Sequence, residues 1–222
     1  MTFDNISKST KTNGVFYYLN KDNNKLYTLL NSSDDTNLFK QNLLKEIVFY
    51  CNIPTYSPRN ISKIINNIFK HKEKYHLDKI TQCVLCREKR VHTIEYRENI
   101  IYMTPGKAIN NSVYFVCQHF LIELETCLKY TERFSIVFNF DDYTFRRMIT
   151  DMSIAIKLST ILKECYYERL DTIYLIDTPS YLSPMILMME KLFNDSIYNK
   201  MKCITNIEFD TSAIIHRNIN SV

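Results

Sequence analysis

The sequence predicts an α/β fold built on a mainly parallel β-sheet with flanking helices. Three observations predict it. Short β-branched and aromatic runs recur at Glu98–Met103, Phe134–Phe140, Thr172–Ile176 and Cys203–Phe209, each compact enough for a buried strand. Longer segments between them, Asn111–Tyr130 and Asp151–Cys165, space their apolar residues as helices do. Strand and helix therefore alternate at a pitch that makes βαβ units, which set their strands parallel.

Composition narrows the function before any motif is read. The 222 residues are 45% hydrophobic, enough for a sizeable core. A net charge of +4, with no long lysine or arginine run, falls short of a nucleic-acid footprint, so no nucleic acid is expected as a partner. Gly14 and Gly106 are the only glycines, which argues against a phosphate-cradling loop, since that needs several. Seven cysteines at irregular spacing and a polar, unsignal-like start point to free thiols in a reducing, cytoplasmic setting. No apolar stretch approaches the roughly 20 residues that span a bilayer.

Taken in order, residues 1–37 read as an N-terminal extension. Within it Val15–Leu19 and Lys25–Leu30 flank a polar Asn20–Asn24 turn and read as a β-hairpin. Residues 38–80 read as a helical part, with Asp35 or Thr36 capping a helix over Leu38–Cys51. A second helix runs from Arg59 to Tyr75, opened by Ser57 as N-cap and Pro58 at the first helical position. Its Lys70, Lys72 and Lys74 read as a solvated face.

Residues 81–222 hold the sheet. At their start stands the one metal-like spacing, Cys83-x2-Cys86 with His92, followed later by Cys117 and His119. Zinc takes about four converging ligands; one pair with no mirror image favours scattered core thiols. The five histidines are dispersed, with no nucleophile elbow and no metalloprotease pair, so the residues support no enzyme. Asp141-Asp142 reads as an acidic turn that stops a strand.

The stretch Cys165–Lys200 organises the rest. After the strand Thr172–Ile176, Asp177-Thr178-Pro179 stops the ladder, because proline cannot donate to it. Tyr181–Phe193 follows, apolar on nearly every side and rich in methionine, a residue that packs irregular shapes. Such a helix is either deeply buried or a lid over an apolar ligand.

These residues resemble the CRAL-TRIO family of lipid-binding and lipid-transfer proteins. The family's Tyr-Pro-Glu-Arg-Leu, strand and Ala-Pro run is similar to Tyr166-Tyr167-Glu168-Arg169-Leu170, Thr172–Asp177 and Thr178-Pro179-Ser180-Tyr181. Arg97–Gly106 and Phe134–Asp141 resemble its first two strands, and Asn199-Lys200-Met201 its later lysine and strand. The resemblance implies a sheet floor under an apolar cavity, closed by a lid helix over Tyr181–Phe193. It implies Glu168 and Lys200 in the head-group environment, with Arg59 the nearest counterpart of an N-terminal basic cluster. Ile197 stands where phosphatidylinositol-binding members place a threonine. Phe138, Tyr174, Ile176, Tyr181, Met185 and Met188 are the expected lining.

The function expected is non-enzymatic carriage of a phospholipid or other lipophile, by a cytoplasmic monomer that touches membranes transiently and needs no cofactor. One alternative is a scaffold whose cavity is filled by Phe138, Tyr174 and Met188. A zinc-dependent enzyme is the other, and would require Cys83, Cys86 and His92 to converge.

Overall fold

The computed structural model describes residues 6, 8–79, 94–107, 112–192 and 195–204. Its first elements are helices. Helix α1 (Thr10–Asp22) opens where the Ser9 side chain accepts from the Thr12 N–H, and α2 (Asn24–Leu30) where Asn23 accepts from the Leu26 N–H. The expected β-hairpin is absent at this place. Asn23 caps both helices rather than turning a strand pair, and Val15, Phe16, Leu19, Leu26 and Leu30 fall at helical spacing and are all buried. Gly14 lets α1 come close to the next helical layer, since a Cβ there would lie 3.0 Å from the Pro58 ring.

Helix α3 (Leu38–Cys51) matches its expected span. Its cap is Asn37, which accepts from the Lys40 N–H, while Asp35 instead lies 3.0 Å from the Lys40 ammonium. Helix α4 (Pro58–Lys74) starts as the sequence predicts, with Ser57 accepting from the Asn60 N–H. Ile61, Ile65, Ile68 and Phe69 form its buried face. Lys72 joins them at 1% exposure, so the expected lysine-rich solvated face holds for Lys70 and Lys74 only.

Five strands form one sheet whose spatial order follows the chain: β1 (Ile94–Arg97), β2 (Ile100–Met103), β3 (Phe134–Asn139), β4 (Leu170–Ile176) and β5 (Met201–Ile204). From β2 onward all neighbours are parallel. Strand β1 is an antiparallel arm, turned back through Glu98 and Asn99, with φ at +55° on Glu98. The strand expected from Glu98 is thus the second arm of a hairpin. Of the strand expected over Cys203–Phe209, the part beyond Ile204 lies outside the described residues.

Helix α5 (Val113–Cys127) connects β2 to β3, and α6 (Phe145–Ile161) connects β3 to β4. Helix α6 starts earlier than expected because Thr144 caps it, accepting from the Arg147 N–H. A π-helical turn (Leu162–Tyr166) and a 3-10 turn (Tyr167–Arg169) then lead into β4. Helix α7 (Ser183–Leu192) and the single-turn α8 (Asp195–Tyr198) return the chain to β5.

Strand order advancing one neighbour at a time, with crossovers of one hand, places these helices on one side of the sheet. There Ile101, Met103, Phe134, Ile136, Ile173 and Leu175 share a core with the helices, including α1 to α4. The opposite face has its own small cluster of Ile100, Val137 and Ile176, with Tyr102, Tyr174 and Ile204 packed against it. Gly106, past the end of β2, permits contact between strand ends: a Cβ there would sit 2.3 Å from the Asp141 carbonyl oxygen.

Candidate functional site

The expected lining residues divide by strand register. Phe138 pairs with Leu175 and packs on the helix-side core. Tyr174, opposite Val137, and Ile176, opposite Asn139, belong to the cluster on the other face. Adjacent strand residues point to opposite faces, so Tyr174 and Ile176 cannot line the cavity that Phe138 would line. The sequence offers no alternation to reveal this, because β4 is apolar on both sides.

On the helix side an aromatic run joins Phe138 to α7. Phe138 stacks on Phe140 at 6.2 Å, and Phe140 meets Tyr143 edge-on at 5.3 Å. The Tyr181 hydroxyl donates to the Tyr143 carbonyl, and its ring meets Phe145 edge-on at 5.9 Å. Tyr143 in turn donates to Asp151 at 3.2 Å, and burial together with that carboxylate holds its phenol above the ordinary range. Tyr181 and Ile186 pack against the main core. Met185 and Met188 lie on α7; their side chains fall outside the described residues. Asp177, at φ +51°, ends β4 and turns the chain toward α7, a left-handed conformation that aspartate tolerates better than most residues.

Glu168 and Lys200 come together at the opposite end of β4. The Lys200 ammonium donates to the Tyr167 carbonyl at 3.0 Å and to the Leu170 carbonyl, and lies 4.5 Å from the Tyr167 ring centre. An ammonium has three donors, so at most one remains for a ligand. Burial lowers the Lys200 pKa, opposed by Glu168 and Asp171 and reinforced by Arg133. Glu168 accepts from the Tyr56 hydroxyl at 2.7 Å. Arg59 is exposed in the first turn of α4, three residues beyond Tyr56. Ile197 is fully buried, and its carbonyl accepts from the Lys200 N–H. Sequence reasoning missed Tyr56, Phe140 and Tyr143. No motif ties Tyr56, between Pro54 and Pro58, to a residue more than a hundred positions away.

A separate cleft of about 300 Å³ opens between the N-terminal helices and α5, bordered by Phe39, Asn42, Lys72, Ile122, Glu125 and Lys129. Its polar element is a buried pair, Lys72 to Glu125 at 2.6 Å, completed by the Tyr166 hydroxyl at 2.8 Å. Cys83, Cys86 and His92 lie outside the described residues. Cys117 and His119 are both buried in α5; burial pushes the Cys117 thiol up to about 11, and His119 lies 3.6 Å from Glu123. Among the described residues no group of three potential ligands could hold a metal ion, and no helix is long and apolar enough to cross a membrane.

The mainly parallel five-stranded sheet with its flanking helices matches a known fold. A family model for the CRAL/TRIO domain matches residues 64–219, more than two thirds of the chain. The chain belongs to the CRAL/TRIO family. Among solved structures it is similar to Sfh5, with a TM-score of 0.55 at 13% identity, over 88% of this chain and 81% of that one. At that identity the likeness speaks for the fold. A search of curated proteins finds no match. Membership in the CRAL/TRIO family supports lipid binding or transfer in general.

Proposed function

We propose that this CRAL/TRIO chain carries a phospholipid or similarly long lipophile between the sheet and α7, with α7 as the lid. Family membership over residues 64–219 is the observation that carries the reading. Phe138 and Tyr181, at the two ends of the aromatic run through Phe140 and Tyr143, support this reading, and the family resemblance adds Met185 and Met188 of α7 to the proposed lining. Tyr174 and Ile176 brace the far face of the sheet instead.

Dimensions favour a phospholipid-length ligand. The seven residues of β4 separate the Glu168–Lys200 end from the Tyr181 end by about 20 Å. That is the depth of about one bilayer leaflet with its head groups. A head group beside Lys200, whose ammonium acts as a point charge toward phosphate, would leave acyl chains directed at α7. Apolar burial supplies the affinity. Release follows when α7 swings open at a membrane surface and exchanges protein contacts for bilayer contacts.

Mass spectrometry of lipid extracted from the purified protein tests this directly. The expected result is a phospholipid near one per chain, exchangeable with labelled lipid from vesicles. Repeated recovery of empty protein that takes nothing from vesicles would favour a scaffold with a filled cavity.

A further inference from the structure

The cleft between the N-terminal helices and α5 shares no residue with the aromatic run that leads to α7, and it holds a buried charge. Lys72 borders it from α4 while only 1% exposed. Its ammonium donates to Glu125 at 2.6 Å and lies 5.8 Å from the Phe39 ring centre. Among the described residues Glu125 is its only acceptor, whereas an ammonium carries three donors. Cationic donors buried without acceptors are costly. Oxygen atoms of a ligand in the cleft would remove that cost.

Glu125 is in the reverse position. Lys72 and the Asn42 amide donate to one of its oxygens at 2.6 and 3.3 Å, and the Tyr166 hydroxyl donates to the other at 2.8 Å. The protein itself therefore satisfies this carboxylate, and Lys72 offsets its charge. Half-exposed Lys129 and exposed Asp78 also border the cleft and balance each other in sign. Exposed Lys45, which donates to the Lys129 carbonyl at 3.4 Å, adds a positive charge beyond that balance. Phe39, Leu77 and Ile122 supply apolar wall. The volume of about 300 Å³ equals that of about ten waters.

We propose that this cleft binds a small monocarboxylate with an apolar body, of about ten non-hydrogen atoms in all. The carboxylate accepts charge-assisted bonds from Lys72, and Lys129 adds attraction from the border of the cleft. The hydrocarbon part covers Phe39, Leu77 and Ile122, and that burial supplies the rest of the affinity. One surplus positive charge suits a single carboxylate better than a phosphate dianion. The site goes beyond lipid carriage, and neither reading depends on the other.

The chain contains no tryptophan, so Leu38→Trp, at an exposed position bordering the cleft, gives an emission signal from this place alone. Octanoate is the probe and 1-octanol its uncharged counterpart. Octanoate added to the full chain should shift that emission saturably, and 1-octanol should bind about tenfold or more weakly. In the same background, Lys72→Met with Glu125→Leu removes both charges together and should erase the preference for octanoate. Thr126→Phe fills the cleft from α5 without touching the ion pair and should abolish the shift with either probe. It carries the test if the first pair melts early by circular dichroism. Emission that does not respond to octanoate overturns the proposal, as does equal binding of 1-octanol or an unchanged shift in Thr126→Phe. Octanoate uptake seen by calorimetry while the emission stays fixed also overturns it and assigns the uptake to the lipid site.

Discussion

Arg169 reaches from the turn before β4 to Glu46 on α3, its Nε donating to the carboxylate at 2.9 Å with both side chains under 5% exposed. The guanidinium also donates to the Glu132 carbonyl at 2.9 Å and lies 4.0 Å from the Phe49 ring centre. Burial pushes the Glu46 carboxyl upward, and Arg169 opposes it. The pair ties the N-terminal helices to the sheet. Arg169→Met or Glu46→Leu alone should cost about 3–5 kcal/mol, because each leaves a buried charge unpaired. The double variant should recover most of that loss in urea denaturation.

Glu125 is the second tie, held by Lys72 on one oxygen and by Tyr166 on the other. Tyr166→Phe removes one donor and should cost about 1–3 kcal/mol. Lys72→Met should cost more, about 3–5 kcal/mol, by leaving the carboxylate without its cation. Denaturant midpoints at constant slope would check both.

The two glycines should respond differently to alanine. Gly106→Ala forces a Cβ against backbone atoms of Asp141 and Asp142 and should destabilise by about 1–3 kcal/mol. At Gly14 the Cβ meets only the Pro58 ring, and alanine suits a helix better than glycine. Gly14→Ala should fall within about 1 kcal/mol of wild type; melting temperatures of the two variants compare them.

His71 sets a pH dependence. Burial pushes its pKa below the ordinary 6.5, Lys157 and Lys74 add to the shift, and Glu164 at 3.7 Å opposes it. Between the lowered value and 6.5 the unfolded chain binds more protons, so stability rises with pH across that window and levels above it. Denaturation from about pH 5 to 7.5 should show the rise, and His71→Asn should flatten it.

Lys200→Met should lower stability as well as lipid retention, since two backbone carbonyls lose their donor. The expected cost is about 1–3 kcal/mol. Lys200→Arg should restore more of the stability than of the lipid retention. Melting curves and lipid-to-protein ratios on the same preparations would separate the two effects.

Much of the fold was legible along the chain. The spans of α3 and α4 and the start of β3 followed from apolar spacing, and Ser57-Pro58 marked a helix start by cap chemistry alone. Val15–Leu19 misled because five apolar and aromatic residues satisfy strand and helix periods equally; packing against α4 decided the matter. Lys72 misled because residue type predicts exposure, while its partner Glu125 lies on α5, far along the chain. For the candidate site, the motif around Glu168 located the strand and the helix after it. Which face Tyr174 and Ile176 would take was hidden, since a strand buried on both sides shows no alternation.

By itself the sequence determined the alternation of strands and helices, the parallel sheet and the family, because these follow from periodicity and local motif order. Tertiary structure alone decided that Lys72, Glu125, Glu46 and Arg169 are buried partners, that Phe138 and Tyr174 face opposite ways, and that α6 leaves Phe145 and Ile149 in the open. Those facts depend on which surfaces meet across distant segments, and no local pattern encodes such a meeting.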